Sequence, residues 1–205
     1  MGRSWADRAR AGFLGIFIGC SVLAAFSAGA QVISRPVAGD ANDARPFAIV
    51  DKRQATLSVY AADGTLVGRA PALLGLTPGD QEPASSRGKD PLALKVNERV
   101  TPAGRFEAQP GHNLSGERIV WIDYEASLAI HRLRPAPASQ RRPERLASAN
   151  LQDRRITLGC VVVDPAFFDR VVLPTLGNGK SLVYILPERE PVLAAGPGAT
   201  HAAAP

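Results

Sequence analysis

The chain has 205 residues, 45% of them hydrophobic, a formal net charge of +5 and two cysteines. That is enough for one domain with a sizeable core. It excludes a disulfide framework and lacks the dense basic footprint of a nucleic-acid binder.

Residues 1–30 read as an export signal. Arg3, Arg8 and Arg10 outnumber Asp7, an apolar stretch runs from Ala11 to Phe26, and Ala28-Gly29-Ala30 offers small residues for cleavage before Gln31. Two other fates stay open. The segment is about long enough to remain as a membrane anchor, and Cys20 lies between Gly19 and Ser21, where it could be lipidated. Each version places the rest of the chain outside the cytoplasm, in the periplasm or cell envelope, with membrane contact only through this segment. Residues 31–205 carry 21 Lys and Arg against 18 Asp and Glu, and seven arginines fall within 132–155. The charge is therefore local.

Residues 31–46 are polar and aperiodic and read as a linker. A domain is expected over 47–187. Phe47-Ala48-Ile49-Val50-Asp51 predicts a short strand, and Ala55 to Tyr60 a second with Leu57 and Val59 on one face. Asp63-Gly64 marks a hairpin turn before Thr65-Leu66-Val67. A Gly-, Pro- and Ser-rich loop covers Thr77 to Pro91. Thr101-Pro102-Ala103-Gly104-Arg105-Phe106 is a turn feeding a strand, His112 follows Pro110-Gly111 as a turn residue, and Arg118–Tyr124 and Ser127–His131 are two closely connected strands.

Arg132 to Asp153 reads as a loop, long enough to be functional or disordered. Cys160 to Val163 is a continuous apolar strand. Asp164-Pro165 starts a helix, because Asp caps free amides and Pro suits the first helical position. Pro174 marks its expected end, and Ser181 to Leu186 is the last strand. Residues 188–205 form an Ala-, Gly- and Pro-rich tail expected to be disordered. The fold class is mainly β with one or two short helices.

Once residues 1–30 are removed, Cys160 is the only cysteine. An unpaired thiol in an exported protein is an intermolecular bridge, an inert core residue or a nucleophile. A free thiol has a pKa of about 8.5, so a nucleophile at neutral pH needs a base. Of three histidines, His201 lies in the tail and His112 in a turn. His131 ends an apolar strand, a good place from which to aim a side chain at a cleft. Gly159 lets the chain turn sharply before the thiol and leaves nearby amides for an oxyanion. A small core cysteine and an uninvolved histidine are the bland alternatives. One cysteine and three scattered histidines offer no recognisable zinc set, and no phosphate loop or serine elbow is present.

Several stretches, in order, resemble the L,D-transpeptidase (YkuD-like) catalytic domain. Ile49 to Tyr60 looks like the opening hairpin of that family, with Asp63-Gly64 at its turn. Val100-Thr101-Pro102-Ala103-Gly104-Arg105-Phe106 is similar to its Thr-Pro-x-Gly-x-Phe element. Ala129-Ile130-His131 resembles the strand that carries its base, and Thr157-Leu158-Gly159-Cys160 its Ser/Thr-His-Gly-Cys motif. The resemblance covers about Phe47 to Pro187.

It implies an L,D-transpeptidase-like β-sandwich, no cofactor or metal, and peptidoglycan stem peptides as substrate. An amine acceptor would come from another stem or an envelope protein. Cys160 would be the nucleophile, forming a thioester, and His131 the base. Amides around Gly159 and Cys160 would hold the oxyanion, and Thr157 would shape the loop. The chain departs from the pattern at Leu158, where the family has a second histidine, and at Val162, where it has Asn or Arg. Arg155 is the candidate replacement for substrate binding. His131 and Cys160 are 29 positions apart, a longer separation than the family's, and the Arg-rich insertion explains it as a lid over the cleft. Because of Leu158 and Val162, a catalytically inactive cell-wall binding or scaffolding protein of the same fold is the alternative function.

Overall fold

A computed structural model describes residues 44–188. The segment read as an export signal, Cys20, His201, most of the expected linker and the expected tail beyond Glu188 lie outside the described residues. Nine strands form: β1 (Phe47–Asp51), β2 (Thr56–Tyr60), β3 (Leu66–Gly75), β4 (Gly104–His112), β5 (Arg118–Asp123), β6 (Leu128–Arg132), β7 (Arg155–Thr157), β8 (Val161–Val163) and β9 (Ser181–Leu186). They lie in the order β2-β1-β9-β4-β5-β6-β8-β3-β7, and β2 also pairs with β3. The first eight therefore close into a ring. The sandwich expected from sequence is a sheet joined at its edges, which leaves few unpaired strand edges exposed. The pairs β1–β9, β6–β8 and β3–β7 are parallel.

Alternation along the strands fills the interior. Val50, Leu57, Val59, Val120, Ile130, Val161, Val163 and Val183 all point into one buried cluster. Each such side chain contributes about 1.5–3 kcal/mol when fully buried. At the β2–β3 hairpin the Asp63 carboxylate accepts from the Thr65 amide at 2.8 Å, and Gly64 adopts a positive φ of 85°. His112 is the last residue of β4, opposite Arg118, and not a turn residue.

The helical segment after β8 differs from the sequence expectation. Asp164 caps it as predicted, accepting from the amides of Ala166 and Phe167 at 2.8 and 3.2 Å. It does not stop at Pro174. It runs through α2 (Pro165–Phe167), a π turn (Phe168–Val172) and α3 (Leu173–Leu176). A proline inside a helix normally costs a hydrogen bond and a clash with the preceding turn. Here it falls at the start of α3, just past the wider π turn, so the chain stays helical and buries Phe168, Val172 and Leu176 in the core.

The Arg-rich segment is also corrected. It is a folded excursion carrying α1 (Arg142–Ala147) and two 3₁₀ turns, Ala138–Gln140 and Leu151–Arg154. Its arginines tie it down by donating to carbonyls. Arg154 Nη1 donates to Ala55 O at 3.2 Å and Nη2 to Ser148 O at 2.8 Å, while Arg145 reaches Gln140 O at 3.0 Å and Asp153 O at 3.2 Å. Leu146 of α1 packs with Leu73 and Val162, and with the partly buried Cys160, on the outer face of the sheet. Val162 is thus apolar because the insertion covers it.

Candidate functional site

β6 and β8 run side by side in parallel, pairing Ile130 with Val161, His131 with Val162 and Arg132 with Val163. Ile130, Val161 and Val163 face the core. Alternation turns His131 and Val162 to the other face. Cys160 does not open the strand as expected from sequence but precedes β8, after the bend at Leu158 and Gly159, two positions before Val162, and joins Val162 in the outer cluster. His131 and Val162, the outward neighbour of Cys160 in the same cluster, therefore share one face of the β6–β8 pair.

The loop that presents Cys160 is held from below. Gly159 adopts a φ of +143°, and a Cβ there would lie 2.9 Å from the Val100 carbonyl oxygen. Only glycine fits that backbone without strain. Thr101 Oγ1 donates to Gly159 O at 2.6 Å and accepts from the Gly75 amide at 2.9 Å. Thr157 Oγ1 donates to Cys160 O at 2.7 Å and accepts from the Gly159 amide at 3.2 Å. Thr157 thus shapes the loop, while the Gly159 amide is engaged inside it. The amides beside the sulfur are those of Ala129 and Cys160 itself.

Below Thr101 lies Lys52, almost fully buried. Its ammonium donates to Gly79 O at 2.5 Å, Asp80 Oδ1 at 2.6 Å and Thr101 O at 2.9 Å. Burial pushes its pKa down, against the pull of Asp80. One buried cation thereby fastens the loop after β3 to the segment before β4 that supports Gly159.

The thiol of Cys160 donates to Ser127 O at 3.4 Å. Ser127 has a φ of +52°, in the tight turn between β5 and β6, next to the bulge between Trp121 and Asp123. Bulges and left-handed residues commonly re-aim groups at sites of this kind. Burial pushes the thiol pKa up, while the Ala129 amide and the charge of Arg134 pull the other way. The resting sulfur is protonated.

His131 is buried. Its Nδ1 lies 2.8 Å from Arg132 O, so Nδ1–H donates to that carbonyl and Nε2 carries the ring lone pair. Arg134 Nη2 sits 3.4 Å from both ring nitrogens. Burial, then the positive charges of Arg134 and Arg142, hold the imidazole down to about 4. It is neutral at physiological pH, the state a general base needs.

Arg155 is held by other partners. Its guanidinium is ion-paired with Glu188 and donates to Lys52 O at 3.2 Å, leaving Nη1 buried without a partner. The charged group that reaches the site is Arg134, which sequence reasoning did not single out within its arginine cluster. Thr101 was legible as part of a motif, without a role. Among the described residues, no three His, Cys, Asp and Glu side chains gather as metal ligands. No helix among them is long and apolar enough to cross a membrane.

No protein-family model and no curated protein matches the chain. It is similar in structure to an L,D-transpeptidase from Mycobacterium smegmatis at 17% identity and a TM-score of 0.36, covering 69% of this chain and 58% of that one. It is also similar to the helical cell shape determining protein Pgp2 from Campylobacter jejuni, at 15% identity and a TM-score of 0.46, with 71% and 49% covered. A third likeness is to the catalytic domain of the E. faecium L,D-transpeptidase, at 16% identity and a TM-score of 0.39, with 71% and 99% covered. The chain spans about half the length of the first two.

Proposed function

We propose that the protein is an exported cysteine acyltransferase of the L,D-transpeptidase type that acts on peptidoglycan stem peptides through a thioester on Cys160. The observation that supports this reading is the β6–β8 register, which pairs His131 with Val162, two positions after Cys160, while the bond from Nδ1–H to Arg132 O leaves Nε2 unprotonated. The motif resemblance supplies the substrate class.

In this reaction the thiol turns from Ser127 O towards His131. Nε2 takes its proton as the sulfur attacks the carbonyl carbon of the third stem residue. The Ala129 and Cys160 amides beside the sulfur are the donors available to the developing oxyanion. The bond to the terminal D-Ala then breaks, and its nitrogen leaves with the proton from His131. The acyl group remains on sulfur as a thioester. An amine from another stem or an envelope protein, or water, next attacks that carbonyl, gives its proton to His131, and the thiol is restored. Transpeptidation, protein attachment and L,D-carboxypeptidation share this first half.

The test is incubation with a tetrapeptide stem, following D-Ala release and intact mass. An acyl adduct that Cys160→Ala loses supports the reading. Identical behaviour of the two proteins, with no adduct, overturns it.

A second reading, a non-catalytic cell-wall binding protein of this fold, is favoured by one observation. The resting thiol is protonated and bonds to Ser127 O, not to His131. Stem binding without any adduct would select it.

A further inference from the structure

The arginines of the insertion divide into two groups. Arg132 and Arg134 pair with Asp169 and Glu117 at 3.3 and 3.4 Å, Arg155 pairs with Glu188, and Arg145 and Arg154 donate to backbone carbonyls. Arg141 and Arg142 have no carboxylate partner among the described residues. Arg142 makes one side-chain hydrogen bond, from Nε to Gln140 Oε1 at 2.6 Å.

These two line a cavity of about 380 Å³, together with Leu133, Arg134, Pro137 and Glu144. That volume lies within the range of small-ligand pockets. Its walls are mostly Pro, Ala and Leu; three arginines line it against one exposed carboxylate residue, Glu144, and of the three only Arg134 has an ion-pair partner among the described residues, Glu117. Arg142 is half-buried, and burial and the neighbouring charge of Arg134 push its pKa down. Like charges held together in a concave, partly dry site are relieved by an anion, and the guanidinium fork matches a carboxylate in two parallel hydrogen bonds. Neither Cys160 nor His131 lines the cavity. Arg134 is the shared wall, since it touches both ring nitrogens of His131.

We propose that Arg142 and Arg141, with Arg134 at the inner wall, form a subsite for a carboxylate of the stem peptide that reacts at Cys160. The inference rests on the acyltransfer reading for the identity of the peptide, but not for the existence of the subsite. It gives the insertion a role in positioning substrate, one that Arg155 is too engaged with Glu188 to fill. A carboxylate at Arg134 also screens the charge beside His131 and makes the imidazole a stronger base when substrate is present.

The experiment is a calorimetric titration of the full chain carrying Cys160→Ala, so that nothing turns over. The probes are a tetrapeptide stem and the same peptide amidated at every carboxylate. The free peptide is expected to bind about tenfold or more tightly than the amidated one. Arg142→Gln removes that difference and Arg142→Lys keeps part of it. Glu144→Gln tightens binding, an outcome a merely structural role for the insertion would not produce. Unchanged melting temperatures establish that each variant is folded, and Arg141→Gln, at an exposed position, repeats the test should Arg142→Gln unfold. Equal affinity for the two peptides, or no effect of Arg142→Gln and Arg141→Gln, overturns the subsite. The two readings fail separately. Acyl adduct formation on the Cys160 protein with an Arg142-independent KM removes the subsite and leaves the enzyme. Carboxylate-dependent binding without any adduct does the reverse.

Discussion

Thr101 Oγ1 donates at 2.6 Å to the carbonyl of Gly159, 58 positions further along the chain. The same hydroxyl accepts from the Gly75 amide, and the Thr101 carbonyl accepts from buried Lys52. The loop that presents Cys160 is therefore fixed by a buried polar network and not by its own sequence alone. Replacing Thr101 with valine keeps the shape and leaves a buried carbonyl and a buried amide unsatisfied. The expected loss is about 1–3 kcal/mol per orphaned group, read from urea denaturation. Acyl adduct formation should fall further than stability in Thr101→Val, because the nucleophile loop is the element released.

Gly159→Ala tests the backbone itself. The new Cβ meets Val100 O at 2.9 Å at a φ of +143°. A residue forced into this region costs about 1–3 kcal/mol, before the clash is added. The variant is expected to melt at lower temperature and to lose thioester formation. Normal stability together with normal adduct formation would show that the loop does not need this conformation.

His131 makes stability depend on pH in a definite sense. Its folded pKa is about 4, below the ordinary 6.5. Between these values the unfolded chain binds a proton that the folded chain does not. Stability is then full above pH 6.5, and falls as pH drops towards 4, by about 3 kcal/mol from this group. His131→Gln should flatten that interval in denaturation curves collected from pH 7 to 4. If His131 is the base, the acid limb of kcat/KM in the unmodified protein also lies near 4 and not near 6.5.

Cys160 alkylation reads the resting thiol. Burial holds its pKa above the ordinary thiol value. Iodoacetamide should react slowly at neutral pH and speed up only above pH 9. Stem peptide bound in the site should protect the thiol or consume it as thioester. Fast alkylation of the free protein at pH 7 would contradict the protonated resting state.

Leu146→Ala separates the insertion from the sheet. The side chain covers Leu73 and Val162 beside Cys160. Truncation of a buried Leu costs about 2–5 kcal/mol, the lower end applying at a shallow site of this kind. Alkylation of Cys160 is expected to quicken as its cover is lost. An unchanged rate would place α1 outside the environment of the thiol.

Much of this architecture was legible in the residues. Leu57 and Val59 alternate and face the core, Asp63-Gly64 makes the turn, and Asp164 caps the helix. These signals are local, carried by a period of two or by one side chain reaching its own neighbours. The course past Pro174 was not legible, because the π turn before it depends on packing Phe168 and Val172 inward. The insertion was not legible either. Its arginines look like a solvated charge run until Arg154 is seen donating to Ala55 O, 99 positions away.

The sequence by itself determined most of the strands, though not β7 or the length of β3, and the candidate nucleophile with its candidate base, since alternation and residue chemistry are properties of short segments. It also marked Leu158 and Val162 as apolar where the resembling family is polar. Only the tertiary structure decided what surrounds them. The parallel register of β6 with β8 put His131 beside Val162, two positions after Cys160, the insertion made Val162 a packing residue, and Arg134 took the place beside His131. Those outcomes depend on which distant segments come to lie next to one another. Closing the ring fixes that choice, because each register satisfies backbone hydrogen bonds and buries one face at the same time.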